Sequence, residues 1–473
     1  LLQPLQQLSV TADGLIADTA GGLDGGRAQQ AIVSGPPFAI PQHLPGGIEG
    51  QDCLIVTTGS QQALDLLAKV MINPGDKVIV EMTQWTRADR KPFGRITKVL
   101  GKPGSHQVEM HAIMAEYELP TAFSDVVEKA ADAIPSVIRE EEIKGRRDMR
   151  GVPTFTIDPF DAKDFDDAIS IRNLDNGCYE IGVHIADVSH FVTPNSILDK
   201  SAYERATSVY LPDRVNPMLP EKISNELCSL RPNEDKYTFS CIFQITNKAE
   251  IKHKWIGRTI IHSDHRFSYE DVQEIIETKD GLHHRAILLL NDLAQQFRKE
   301  RFNKGAINFS SQEVRFKLDE KGKPLGIVIK ESKEAHKLIE EFMLLANRTV
   351  AEYISKIKVN KEPIPFPYRI HNTPDEEKLK PFAAFAKKFG YMFDLKDEEA
   401  IAKSFNQLLK DVAGKPEQHV LEQLGIRTMA KAVYTSENIG HYGLGFEHYC
   451  HFTSPIRRYP DVMAHRILQE CLE

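Results

Sequence analysis

Nowhere in the 473 residues does an apolar run approach the roughly 18 residues that a bilayer span requires, and the N-terminus carries no basic segment followed by an apolar one. A soluble, cytoplasmic chain without membrane attachment is the expectation. Close cysteine pairs are also lacking: Cys53, Cys178, Cys228, Cys241, Cys450 and Cys471 are scattered, which argues against a zinc site or a disulfide framework and for reduced thiols. There is no basic excess either. The formal net charge is -8, so a uniformly basic nucleic-acid coat is ruled out, though a local channel is not. Charge is uneven: residues 1 to 84 hold eight acids and three bases, or -5, leaving -3 for the rest. The chain opens on Leu1 rather than Met, as a fragment would.

What the sequence does contain is acid in one place. Residues 158 to 167 hold five carboxylates, Asp158, Asp161, Asp164, Asp166 and Asp167, flanked by apolar Ile157, Phe160, Phe165 and Ile169. Crowded carboxylates repel one another, and a cation between them is one way to hold them together. The apolar residues are expected to anchor the segment to a core. Asp158, Asp164, Asp166 and Asp167 fit neither a helical face nor one side of a strand, so they meet only if a strand ending near Asp158 bends back through a loop. The regular EF-hand spacing with its central glycine is absent. On spacing alone, a metal site and a solvated acidic loop stay level.

Along the chain, residues 1 to 51 are broken by Gly and Pro pairs and read as poorly ordered. Cys53 to Thr57 reads as a strand and Thr58 to Leu67 as a turn into a helix. The run 52 to 80 resembles a piece of the fold-type I aminotransferases, but no matching lysine or cofactor-pyridine aspartate region follows, so pyridoxal phosphate is not expected to bind. Residues 78 to 82 and 94 to 101 alternate as short strands of a small barrel. The charged run Arg139 to Arg147, within a linker at 121 to 150, is most simply solvated. Beyond Gly151, Cys178 to Val188 reads as a strand. Residues 286 to 302 and the stretch around Leu338, Phe342 and Leu345 read as amphipathic helices. The class is α+β or mixed α/β.

Two more segments carry chemistry. One is Ser208-Val209-Tyr210-Leu211-Pro212-Asp213-Arg214, followed by Leu227-Cys228-Ser229-Leu230. The other is His451-Phe452-Thr453-Ser454-Pro455-Ile456-Arg457-Arg458-Tyr459-Pro460-Asp461, which sets two guanidiniums beside hydroxyls. Arg clamps phosphate with paired hydrogen bonds and Tyr stacks on bases, although each is more often surface charge or core. His184, His190, His441, His448 and His451 suit a hard cation poorly and read as structural or as facing a bound partner.

Taken in this order, the three segments resemble the catalytic domain of the ribonuclease II family, of the ribonuclease R type, over residues 151 to 473. Residues 77 to 120 resemble the end of a cold-shock (OB-type) barrel that precedes it. The S1-type domain that would follow is missing at Glu473. The resemblance implies processive, magnesium-dependent 3′-to-5′ hydrolysis of single-stranded RNA to nucleoside 5′-monophosphates by a monomer, with manganese able to replace magnesium. It implies that Asp158 and Asp167 hold the metal with help from Asp164, and that Asp166 is the carboxylate most critical for the chemical step. Arg457 would grip the reacting phosphate with Arg458 nearby, and Tyr210 would pack on the 3′-terminal nucleotide. Glu340 or Glu341 would contact the terminal ribose and Phe309 would stack at the channel's end. The rival expectations are a catalytically impaired RNA-binding fragment and, more remotely, a pyridoxal-phosphate aminotransferase.

Overall fold

The computed structural model describes residues 77–84, 93–309, 313–319 and 324–473, with short strands at 10–11, 14–15 and 30–33. Residues 52–76, which carry most of the aminotransferase-like stretch and the strand and helix expected at 53–67, lie outside the described residues. The chain divides into two units. The smaller comprises Leu1–Phe123, Leu211–Asn216 and Phe316–Ile327. In it β1 (Gln30–Val33), β2 (Lys77–Gln84) and β3 (Phe93–Gly101) form an antiparallel sheet in that order, followed by helix α1 (His106–Glu116). The two expected barrel strands are there. The stretch read as poorly ordered nevertheless supplies a third strand, because Gln30 to Val33 is a β-branched-rich tetrapeptide between its glycines and prolines.

The larger unit comprises Ser124–Tyr210, Pro217–Arg315 and Val328–Glu473. Its strands are β4 (Arg147–Asp148), β5 (Thr154–Asp158), β6 (Asp167–Asn173), β7 (Tyr179–Ala186), β8 (Glu234–Ile245), β9 (Ile251–Ser263) and β10 (His265–Ser268). They form one sheet in the order β10-β5-β6-β7-β8-β9-β4, antiparallel except at the two outer pairs. Helices α2 (Tyr269–Thr278), α3 (His284–Asn303) and α4 (Glu334–Ile354) cover one face. Strand alternation sends Phe155, Ile157, Ile169, Val183, Ile185, Phe239 and Phe243 to that face, where they pack with Ile287, Leu290, Leu338 and Phe342. Both expected amphipathic helices therefore bury the residues their periodicity selected.

The opposite parity of the same strands is polar. His184 lies between Ser240 (2.7 Å) and Ser170 (2.8 Å), and Ser240 and Thr238 each meet Thr259 at 2.5 Å. All are buried, and burial, then Arg147, pushes the imidazole of His184 down to about 3. Gly182 makes room for this chain of partners, since a Cβ there would stand 2.4 Å from the His184 ring and 2.5 Å from the Ser170 hydroxyl. Gly182→Ala is expected to destabilise the protein by about 1–3 kcal/mol. An unchanged urea midpoint would show that the sheet absorbs the methyl group.

The charged run at 139 to 150 corrects an expectation. Arg139, Glu140, Glu141 and Lys144 are exposed as expected, but Glu142, Arg146 and Arg147 strap the run onto the sheet. Arg146 is buried with its guanidinium 4.3 Å from the Tyr237 ring centroid, and the Tyr237 hydroxyl donates to Glu142 at 2.6 Å. Charge density alone hid this, because Glu142, Arg146 and Arg147 find their partners far along the chain, at Tyr237, Asp187 and Glu180.

Candidate active site

Strand β5 ends on Asp158 because Pro159 has no N–H to continue the ladder, and the chain returns to the sheet at Asp167. This is the bent-back loop that the aspartate spacing requires. Ser229 accepts from Phe165 N–H at 3.0 Å and donates to Lys163 O at 2.8 Å, and Leu230 N–H donates to Phe165 O at 3.0 Å. The Arg266 guanidinium donates to the carbonyls of Pro159 (2.8 Å) and Phe160 (2.6 Å) and lies 5.3 Å from the Phe165 ring centroid. Ile157, Phe165 and Ile169 are buried as expected, but Phe160 is 79 % exposed. Its carbonyl, not its ring, ties it down.

The second segment closes on this loop from the other end of the domain. Asp461 accepts from Ser454 N–H at 2.7 Å, and the chain turns so that Ile456 N–H donates to Asp166 Oδ1 at 2.9 Å. Arg457 Nε stands 3.5 Å from Asp166 Oδ2, while its guanidinium also donates to Ser454 Oγ at 2.9 Å. Arg458 is turned inward onto Asp461 at 2.7 Å. The third segment is pinned to the second: Thr207 Oγ1 and Ser208 N–H donate to Arg457 O at 2.9 and 3.0 Å. Tyr210 follows two residues later, its ring 56 % exposed.

Electrostatics place these groups within reach of one another. Burial, reinforced by Asp166 and Asp164 and partly offset by the Thr156 side chain and then Arg266, pushes Asp158 up to about 7. Burial and then Asp158 push Asp167 up to about 8. Asp166 is raised well above the carboxylate range, burial again outweighing Arg457 and the Ile456 N–H. Asp164 is raised by burial, with Arg457 opposing. Burial and Asp164 push the Tyr210 hydroxyl up to about 12.

Do these residues fit a metal? Asp158 Oδ2 is a buried oxygen without a hydrogen-bond partner, and the carboxylates repel one another without a cation. Among the described residues, no three carboxylate, imidazole or thiol groups form a closed metal cage. Magnesium does not need one, since it binds through one or two carboxylates and completes its octahedron with waters and substrate phosphate. The donor set fits that ion.

The other expected site residues lie in separate groups. Arg301 forks onto buried Glu341 through Nε and Nη2 and reaches half-exposed Glu340 at 3.3 Å. Phe309 packs edge-on against Phe405, ring centroids 5.6 Å apart, in a cluster with Leu379 and Phe382. Tyr269 was missed. It opens α2 beside Asp158's neighbour in the ladder, Ser268, and burial followed by Asp167 and Asp158 raises its hydroxyl. Only the capping pattern Ser268 to Asp271 marked it in the sequence, and that pattern says nothing of carboxylates.

Residues 146–473 match the RNB domain and residues 68–124 a cold shock domain. The chain belongs to the RNB-domain family, the ribonuclease II and R family that its motifs resemble. It is 38 % identical over 407 residues to ribonuclease R of Aquifex aeolicus, covering 85 % of this chain and 57 % of that protein. It is 40 % identical over 418 residues to DIS3-like exonuclease 2 of Schizosaccharomyces pombe, covering 83 % and 45 %. The chain thus spans about half the length of the curated relatives it matches. Among solved structures, Mycoplasma genitalium RNase R in complex with ribose-methylated single-stranded RNA superposes with a TM-score of 0.78 at 30 % identity, over 84 % of this chain and 62 % of that one. The cold-shock match begins at residue 68 and overlaps the aminotransferase-like stretch, to which the comparisons lend no support.

Proposed function

We propose that the chain is a magnesium-dependent exoribonuclease that degrades single-stranded RNA processively from its 3′ end to nucleoside 5′-monophosphates. One observation carries this reading: Asp166 is a buried carboxylate held jointly by a backbone N–H and a guanidinium from the Ile456-Arg457 segment. A buried charge so expensive to keep is retained for chemistry more readily than for stability. Asp158 and Asp167 would hold magnesium with Asp164 assisting, and the ion would lower the pKa of the attacking water and offset phosphodiester charge. Arg457 is 40 % exposed and free to turn toward a phosphate, offsetting charge on its oxygens. Arg458 would support it from Asp461. Glu340 or Glu341 would meet the terminal ribose and Phe309 would stack on a base farther along the strand. A reducing cytoplasm fits the five described cysteines, all free, and the chain would act as a monomer.

The test is 5′-labelled poly(A) incubated with magnesium and then with EDTA. A ladder shortening from the 3′ end only with magnesium is expected. The second reading, an RNA-binding protein without turnover, is favoured by the fold's occurrence in yeast Ssd1, described as a pseudonuclease, at 22 % identity and a TM-score of 0.66. Binding of poly(A) with no shortening would select it.

Tyr210→Ala is expected to lengthen the limit product rather than stop hydrolysis. Stacking of an exposed ring on a base contributes about 1–3 kcal/mol, so short RNAs would dissociate before the last cuts. An unchanged product ladder would remove Tyr210 from the substrate path.

A further inference from the structure

Asp187 is fully buried immediately after β7, and four elements converge on it. Arg146 of the strap places Nη2 at 2.8 Å from its Oδ2, and Arg258 of β9 places Nε at 3.4 Å. Ser189 Oγ donates to its other oxygen at 2.8 Å. The imidazole of His465, on the helix Tyr459–Leu472, lies within its electrostatic reach. Burial alone would raise this carboxyl; Arg146, then Arg258, outweigh it and hold it well below the usual carboxylate range. None of these groups belongs to the aspartate loop.

The position of the group matters more than its charge. Ala186, the residue before Asp187, donates its N–H to the backbone carbonyl of Asp166 at 2.8 Å. Asp187 N–H in turn donates to Tyr237 O at 3.1 Å, and Tyr237 is the ring on which Arg146 rests. On the other side, His465 Nε2 donates at 2.8 Å to the carbonyl of Phe452, which opens the segment carrying Ile456 and Arg457. Arg146 also spans two strands, donating to Thr238 O and Thr259 O at 3.3 Å. One buried carboxylate thus stands between the loop that bears Asp166 and the segment that holds it. Buried ion pairs are poor stabilisers, because desolvation offsets most of the attraction and apolar replacements are often neutral. What an ion pair anchored on both sides does supply is fixed geometry: Ser189 holds the carboxylate, and the carbonyls of Thr238 and Thr259 hold the guanidinium.

We propose that Arg146 and Asp187 are positioning residues for the hydrolysis: their pair fixes the end of β7 and, through Ala186 N–H, the backbone of Asp166 against Ile456 and Arg457. The inference rests on the exoribonuclease reading. A shift of the order of an ångström at a reacting group is enough to cost a large rate factor while phosphate and stacking contacts keep the RNA bound.

The experiment compares the full chain with Arg146→Met, Arg146→Lys and Glu142→Gln, the last loosening the strap without touching Asp187. It measures kcat and KM on single-stranded RNA, melting temperature, and hydrogen exchange at the amides of Ala186 and Ile456. Arg146→Met is expected to lower kcat by about tenfold to a hundredfold with KM within about twofold, and to speed exchange at Ala186. Arg146→Lys is expected to recover part of kcat and of the protection, and Glu142→Gln to keep both. If Arg146→Met does not fold, Arg146→Lys decides the matter: reduced kcat with faster Ala186 exchange supports the inference, and parental values of both overturn it. Loss of kcat matched by an equal loss in Glu142→Gln also overturns it, since the strap would then act only through stability. A parent without turnover would sink the nuclease reading alone. The exchange at Ala186 would still decide whether Arg146 holds Asp166 in place.

Discussion

Asp166→Asn is expected to lower RNA turnover on the order of a thousandfold while RNA affinity stays within about twofold. The amide keeps the size of the carboxylate and can still accept from Ile456 N–H, so the loop should not move. What goes is the negative charge beside Arg457 and the other aspartates. On the exoribonuclease reading that charge acts where the reacting phosphate would sit, whereas binding would be spread over many contacts along the strand. Turnover and affinity falling by the same factor would mean that Asp166 serves binding, not the chemical step. The same variant should melt no lower than the parent without divalent cation, because an amide is cheaper to bury than a carboxylate.

The second expected result concerns the metal-free protein and pH. Asp158, up to about 7, and Asp167, up to about 8, are protonated more readily folded than unfolded, where a carboxyl titrates near 3.8. Between those values the folded state binds more protons, so stability present at low pH is lost as pH rises through the folded pKa. Buried histidines such as His184 and His441, held neutral by burial, act in the opposite sense below their ordinary 6.5. The depressed Asp187 matters only in acid. The clearest interval is therefore from about 7 to about 8, above the histidines and up to the folded value of Asp167. In EDTA the melting temperature should fall over that interval, magnesium should flatten the fall, and Asp167→Asn should flatten it without magnesium. A melting temperature that is level in EDTA and indifferent to magnesium would show that the carboxylates do not share a confined space.

Much of the site could be read from the chain because its chemistry is local. Pro159 after Asp158 and the apolar residues around five acids imply a loop returning to a sheet, and the loop is there. Alternation and helical periodicity located β7, α3 and α4 for the same reason. Phe160 shows the limit: apolar character cannot tell a ring in the core from one held outside by its carbonyl. Arg146 shows another, since a charge inside a charged run has no signature of burial until its partner, 41 positions on at Asp187, is known. Tyr269 reaches the aspartates only through the parallel pairing of β10 with β5, a juxtaposition that no spacing announces. Glu341 sits in a helix whose apolar face was legible, yet its pairing with Arg301 required the packing of α3 on α4.

The bond from Ile456 to Asp166 joins residues 290 apart in the chain. Closing so long a loop costs entropy that only the finished sheet and its helices can offset, so this contact forms late in folding. On the ribosome the acidic loop emerges long before its guanidinium partner. Throughout that interval Asp166 stands without Ile456 N–H or Arg457. Separation along the chain thus delays assembly of the candidate site until the Ile456-Arg457 segment has been made.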